Sequence, residues 1–322
     1  MKRLAILDDY QNVALEMADW LPLEGEVAIR VLNEHIADEA ALAAEIGDCE
    51  IVVIMRERTP FTRSLFEKLP KLEHLYTTGM RNNSIDLAAA KDHGVVVTGH
   101  PSQGSPTVEL TWGLILALAR SLPFEYLGMR SGEWQRTVGR DIKGATLGIV
   151  GLGRLGGEVA RIAQAFGMKV TAWSTNLTQA RCDEVGVAFA GSKETLLEAA
   201  DFVTIHLILS DRSRDTIGAA ELERLGPRSC LVNTSRGPIV NEAALIEALS
   251  THAIAGAALD VYDVEPLPKD HPLRSLDNVV LSPHLGYVSE NNYRGFYSGA
   301  VGNIRAWLDG EVINEVTPRS GH

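Results

Sequence analysis

Apolar residues in the first hundred positions fall into short, β-branched runs separated by stretches in which they recur every three or four residues. Leu4 to Leu7, Val27 to Leu32, Ile51 to Met55, Leu72 to Thr77 and Val95 to Thr98 read as strands. Val13 to Trp20, Asp38 to Ile46, Thr62 to Leu69 and Ile85 to His93 read as helices. The alternation predicts right-handed β-α-β units on a parallel sheet. A stretch of chain breakers, Gly99-His100-Pro101-Ser102-Gln103-Gly104-Ser105-Pro106, then precedes a long apolar helix from about Thr107 to Arg120. A second alternating run begins at Ala145 and contains six strands ending near Val150, Trp173, Leu207, Asn233, Leu259 and Leu281. After Gly286 one helical stretch remains, Ser289 to Leu308. It is too isolated to form a core of its own and is expected to cross back onto the first domain. The expectation is two α/β domains, a discontinuous one of residues 1–99 with 287–322 and a continuous one of residues 100–286, with no internal repeat.

Bulk composition narrows the classes without naming one. The 322 residues suffice for two cores, and 45% hydrophobic with 22% charged residues is ordinary for a soluble globular chain. A net charge of −12 argues against a nucleic-acid or acidic-membrane partner. Cys49, Cys182 and Cys230 are odd in number and lack C-x-x-C spacing, so neither a disulfide framework nor a metal site is expected. The N-terminal apolar run is too short for a signal peptide and ends at Asp8 and Asp9, which leads to the expectation of a cytoplasmic protein.

The most specific local signal is Gly151-Leu152-Gly153-Arg154-Leu155-Gly156, after the strand Thr146 to Val150 and before a helix with Val159, Ile162, Ala163 and Phe166 on one side. In this Rossmann-type turn the first glycine makes the bend, the second lets a pyrophosphate approach the backbone, and the third lets the helix pack on the strand. Phosphates would sit at the helix N-terminus, where unpaired amides favour an anion. Ligands of open α/β sheets bind beyond the carboxyl ends of the strands. At those ends the second run places His206, Arg236, Asp260 and His284. An arginine can grip a carboxylate and polarise a carbonyl, while a histidine beside a carboxylate can carry an alcohol proton near neutral pH. That set suits hydride chemistry on an anionic carbonyl compound.

Three segments sharpen this: Asn233-Thr234-Ser235-Arg236-Gly237-Pro238-Ile239-Val240-Asn241-Glu242, Ala258-Leu259-Asp260-Val261-Tyr262-Asp263-Val264-Glu265-Pro266 and Ser282-Pro283-His284-Leu285-Gly286. They resemble the signature segments of the D-isomer-specific 2-hydroxyacid dehydrogenases, and the likeness runs from about Ile51 to Trp307. The resemblance implies an oxidoreductase similar to phosphoglycerate dehydrogenases and hydroxypyruvate reductases. It would have two Rossmann-like doubly wound parallel-sheet domains, an active-site cleft between them, and NAD or NADP as cofactor. Arg236 would be the substrate arginine, His284 the acid/base and Glu265 its carboxylate partner. Asp260 would lie near the nicotinamide, with Thr234, His206 and the turn residues Gly151, Gly153, Arg154, Leu155 and Gly156 along the cofactor groove. A homodimer is expected, with the apolar helix Leu110 to Leu118 contributing. The chain stops soon after its last helix, so a C-terminal regulatory domain is not expected.

Two departures from the family pattern stand out. Ser174 occupies the place where an NAD-specific site carries an acid for the ribose hydroxyls; a serine does not repel a 2′-phosphate, which implies tolerance of NADP and a mild preference for it, while Arg154 and Arg181 read first as ordinary helix-surface charges and second as cations within reach of that phosphate. In the substrate loop Thr77 to Asp86, Met80 is followed by Arg81 where a glycine is usual, offering a guanidinium to a second anionic group or to solvent. Arg56 and Arg58 carry the same two readings. His206 is read equally as a cofactor contact or a structural group. His35, His74, His93, His252 and His271 have no partner at a meaningful spacing and read as structural or solvated, and His322 is terminal. Formate dehydrogenases resemble the chain less, because their histidine is paired with glutamine. Corepressors of the same fold, which keep the arginine, glutamate and histidine, are the alternative from another class.

Overall fold

The computed structural model describes residues 1–101 and 105–317; His322 and residues 102–104 of the breaker-rich connection lie outside them. The chain divides into two compact units, Met1–Gly104 with Ser289–His322, and Ser105–Val288.

In the first unit β1 (Lys2–Ile6), β2 (Val27–Val31), β3 (Ile51–Ile54), β4 (His74–Thr77) and β5 (Val96–Gly99) form a parallel sheet of order β2-β1-β3-β4-β5. Every residue of β3 and β4 is buried, as befits strands covered on both faces. The helices α1 (Glu39–Ile46), α2 (Arg63–Lys68) and α3 (Leu87–Asp92) each start where a side-chain oxygen takes an otherwise unpaired amide. Asp38 accepts from Ala41, Thr62 from Leu65 and Asp86 from Ala89. The sequence also predicts a helix over Val13 to Trp20, and the structure has turns there instead. The Asp9 carboxylate takes the amides of Val13 at 3.1 Å and Ala14 at 2.9 Å, and the Trp20 indole donates to the Ala14 carbonyl at 3.0 Å. Side chains thus satisfy backbone groups that a helix would have paired.

In the second unit α4 (Pro106–Ala119) and α5 (Leu122–Ser131) precede a seven-stranded parallel sheet. Its strands are β6 (Thr146–Val150), β7 (Lys169–Trp173), β8 (Ala188–Phe189), β9 (Phe202–Ile205), β10 (Cys230–Asn233), β11 (Gly256–Leu259) and β12 (Val279–Leu281), in the order β12-β11-β10-β9-β6-β7-β8. Six are the expected strands; β8, two residues long at the edge, is too short to register as an apolar run. The intervening helices are α6 (Arg154–Ala165), α7 (Gln179–Val185), α8 (Lys193–Ala199), α9 (Ala219–Leu225) and α10 (Glu242–Ser250). One face of the sheet buries Trp112 and Ile115 of α4 with Val159 and Ala163 of α6; the other buries Leu196, Leu222 and Leu245 of α8, α9 and α10. Each of the valine, leucine and isoleucine side chains among them contributes roughly 1.5–3 kcal/mol. The strand order reverses between β6 and β9, which opens a crevice at their carboxyl ends.

The last helix, α11 (Glu290–Leu308), belongs to the first unit. The Tyr76 hydroxyl donates to the Phe296 carbonyl at 2.8 Å, and Trp307 stacks on His74 with ring centroids 5.1 Å apart. Beyond it Gly99 N donates to Asn314 O at 3.0 Å and Val316 N to Val97 O at 2.8 Å, extending the edge of the sheet. No helix of the described residues is long and apolar enough to cross a membrane.

Candidate active site

The glycine turn sits at the crevice of the second unit, and its three glycines meet three different constraints. Gly151 has φ +105°, and a Cβ there would lie 2.7 Å from the His206 carbonyl oxygen. At Gly156 a Cβ would lie 2.1 Å from the Gly151 carbonyl oxygen, so only glycine lets α6 come this close to β6. A Cβ on Gly153 would meet nothing within 4 Å: the space over the N-terminus of α6 is open, which fits a bound pyrophosphate. Leu155 is half-buried against the core beneath.

Around the turn, the Arg181 guanidinium rests on its backbone. Nε donates to Leu152 O at 3.1 Å and Nη2 to Gly153 O at 3.4 Å, while Nη1 pairs with Glu184 at 2.6 Å. Arg154 is mostly exposed, with Nη1 2.8 Å from Ser105 Oγ and 3.3 Å from Glu158. Ser174, half-buried after β7, starts a tight turn whose carbonyl accepts from Leu177 N at 3.0 Å. His206 donates its amide to Val150 O at 2.8 Å and its Nε2 lies 3.1 Å from Thr204 Oγ1. Burial pushes its pKa down to about 4, so the ring is neutral at pH 7. Thr234 is buried with its hydroxyl 2.8 Å from that of Thr111.

Arg236, Glu265 and His284 follow three adjacent strands, β10, β11 and β12. The Asn233 side chain shapes the first turn, accepting from Ser235 N at 3.0 Å and donating to Arg236 O at 2.9 Å; Ser235 Oγ is hydrogen-bonded to Leu207 O. The half-buried Arg236 extends from that turn, with Nη1 2.7 Å from Ser235 O. His284 has φ +54°, and its Nδ1 lies 2.5 Å from Glu265 Oε2. Donation of the Nδ1 proton to an ionised Glu265 would leave Nε2 as the ring nitrogen turned away from that carboxylate. The other oxygen, Oε1, accepts from Tyr262 N at 3.0 Å.

Asp260 is wholly buried and accepts from Ser282 Oγ at 2.6 Å, Leu285 N at 2.7 Å and Gly286 N at 2.8 Å. These bonds give the turn that carries His284 its shape. Burial raises the Asp260 pKa; the three hydrogen bonds and a positive charge on His284 act against that rise.

Met80 and Arg81 lie in the first unit, on the loop after β4, and are both exposed. Arg56, which follows β3, packs on that loop. Its backbone adopts φ +53°, its amide donates to Thr78 Oγ1 at 2.9 Å, and Nη1 donates to Thr78 O at 3.3 Å. Two histidines without a partner at short spacing acquire a carboxylate in the fold. His35 Nδ1 is 2.9 Å from buried Asp8, and His271 Nε2 is 3.1 Å from Glu242. Both partners lie 27 or more residues away, which no spacing rule reports. Among the described residues no group of three or more His, Cys, Asp or Glu could hold a metal ion.

Residues 112–286 match the family model described as D-isomer specific 2-hydroxyacid dehydrogenase, NAD binding domain. The chain is 36% identical over 319 residues to a D-3-phosphoglycerate dehydrogenase of Methanocaldococcus jannaschii, covering 98% of this chain and 59% of that protein. It is 36% identical to the corresponding Bacillus subtilis protein, of which it spans 53%. Against a glyoxylate reductase of Korarchaeum cryptofilum it is 35% identical over 287 residues, covering 87% of this chain and 86% of that one. The crystal structure of a phosphoglycerate oxidoreductase from Vibrio cholerae superposes with a TM-score of 0.91 at 35% identity, covering 96% of this chain and all of the other. The chain therefore belongs to the D-isomer specific 2-hydroxyacid dehydrogenase family.

Proposed function

We propose that the protein is an NAD(P)-dependent oxidoreductase interconverting a D-2-hydroxy acid and its 2-oxo acid. The observation that carries this reading is the His284–Glu265 contact of 2.5 Å, on strand ends adjacent to the one that presents Arg236. Arg236 holds the substrate carboxylate and polarises the neighbouring carbonyl. Protonated His284 donates from Nε2 to the developing alkoxide, and in the reverse direction the neutral ring takes that proton back. Glu265 fixes the ring through Nδ1 and stabilises the imidazolium. When bound, the nicotinamide supplies or takes up the hydride. Gly151, Gly153 and Gly156, with the first amides of α6 at Arg154 and Leu155, would hold its pyrophosphate; Thr234, His206 and Asp260 would flank the rest.

Tolerance of NADP, with a mild preference for it, is supported by Ser174 in place of an acid and by the Arg181 cation resting on the glycine turn. For the exposed Arg81 we propose a part, with Met80, in reading a second anionic group on the substrate. Glyoxylate, hydroxypyruvate and 3-phosphoglycerate-type acids all fit the class. A homodimer is supported by Tyr126, Leu127, Met129 and Trp134, large apolar side chains at 55–72% exposure on and just after α5. The helix Leu110 to Leu118, by contrast, buries Leu114 and Ile115 in its own unit.

Initial rates of nicotinamide absorbance change, with NADH and NADPH in turn, test the proposal across glyoxylate, hydroxypyruvate, phosphohydroxypyruvate and pyruvate. Turnover of at least one is expected, with NADPH mildly above NADH; equal efficiency with both, or a strong preference for NADH, would remove the cofactor inference. No turnover on any 2-oxo acid, with cofactor binding verified, would refute the reading. Arg81→Ala is expected to raise KM for a doubly anionic substrate more than for glyoxylate, and equal KM values across the two enzymes would remove Arg81 from the site.

A further inference from the structure

The segment that carries Glu265 leaves β11 and runs from Asp260 to His271 as an irregular excursion, with Asp263 and Val264 exposed. A loop of that kind would not by itself keep a carboxylate within 2.5 Å of His284. Glu242, in the first turn of α10, reaches both of its ends. Oε2 accepts from Asp263 N at 3.4 Å and Oε1 pairs with His271 Nε2 at 3.1 Å. The His271 tautomer is set by its other nitrogen: Nδ1 accepts from Leu273 N at 3.4 Å, so Nε2 carries the proton and donates to Glu242. With side chains 14% and 23% exposed, His271 and Glu242 are shielded from water far more than an ordinary surface pair.

A second contact is independent of that carboxylate. A Cβ on Gly237 would lie 2.1 Å from the Tyr262 carbonyl carbon and 2.6 Å from Asp263 N, so the backbone beside Arg236 is pressed directly on the start of the Glu265 segment. At the far end Arg274 donates to Leu267 O and Pro268 O at 2.8 Å each. Asp263, Arg214 and Asp215 are the other charges facing this region.

We infer that Glu242, latched to His271, is a positioning residue that holds the Glu265 segment against the Arg236 turn and so keeps Glu265 on His284. The inference rests on the acid/base reading above and extends it to a pair that touches no substrate. The latch requires two acceptor oxygens because both of its partners are donors. Glutamine in place of Glu242 has the same shape but only one acceptor, so one end is released.

The test compares Glu242→Gln, His271→Leu and His271→Gln with the wild type. Glu242→Gln and His271→Leu are expected to lower kcat about ten- to a hundredfold, as small misplacement of a reacting group does, with cofactor affinity unchanged. His271→Gln keeps a donor facing Glu242 and should restore most of the rate. The downfield proton resonance of His284 Nδ1, recorded by NMR, reads the His284–Glu265 contact without any turnover. Its loss in Glu242→Gln supports the inference even if the wild type reduces no 2-oxo acid; its persistence in Glu242→Gln overturns it.

Discussion

At the scale of single residues the sharpest expectations concern two histidines with opposite surroundings. His284 meets a carboxylate at 2.5 Å, and His284→Gln is expected to lower kcat by roughly 10²–10⁴-fold while leaving NADH affinity as it was. Wild-type turnover would remove His284 from the mechanism. His74 meets no charge at all. It is fully buried on β4, its Nε2 lies 2.8 Å from Thr98 Oγ1, its Nδ1 has no hydrogen-bond partner, and Trp307 covers the ring. Burial lowers its pKa from 6.5 to about 4. Between those values the unfolded chain binds a proton that the folded chain does not. The associated stability is complete above pH 6.5 and is lost as pH falls towards 4, about 3 kcal/mol in all. His206, lowered to about 4 by burial, acts in the same direction. Urea midpoints recorded from pH 7.5 to 4.5 should fall more steeply for the wild type than for His74→Gln; parallel curves would show that His74 does not titrate this way.

At the scale of elements the β6–α6 turn separates a ligand constraint from a packing constraint. Gly153→Ala adds a methyl to open space and should leave the melting temperature unchanged while weakening cofactor binding at least about tenfold, since the methyl fills the phosphate cradle. Gly156→Ala drives a methyl into the Gly151 carbonyl and should lose both stability and binding. Thermal melts with and without NADH distinguish the two; equal melting temperatures for the variants would contradict the contrast. This turn was legible in the sequence because its three glycines fall within six consecutive residues, although the His206 carbonyl that crowds Gly151 does not. The segments ending at Arg236, Glu265 and His284 were legible for the same reason. What escaped was decided by individual side-chain hydrogen bonds, near and far, that leave no periodic trace. Asp9 takes two amides and turns the expected Val13 to Trp20 helix into a string of turns. Glu242 and His271, 29 residues apart, form a latch that no periodicity announces. The apolar pattern of α5 is likewise an outward one, so it carries no core signal to predict a helix.

For the whole molecule, the exposed apolar side chains of and beyond α5 set the expectation about assembly. Scattered single apolar residues on a surface need no explanation, but a cluster of this kind in an otherwise strongly acidic chain calls for a cover. Tyr126→Asp combined with Trp134→Asp should convert a dimer to a monomer in sedimentation velocity without changing the far-ultraviolet circular dichroism. A wild type that sediments as a monomer would remove the assignment. The route of the chain has a further consequence, which is one of time. The second unit is a single continuous span, so a ribosome releases all of its strands well before it releases α11. The first unit is begun at residue 1, yet Tyr76 and His74 wait for Phe296 and Trp307, and the β5 edge waits for Asn314 and Val316. During synthesis the earliest-made sheet is therefore the last to be completed.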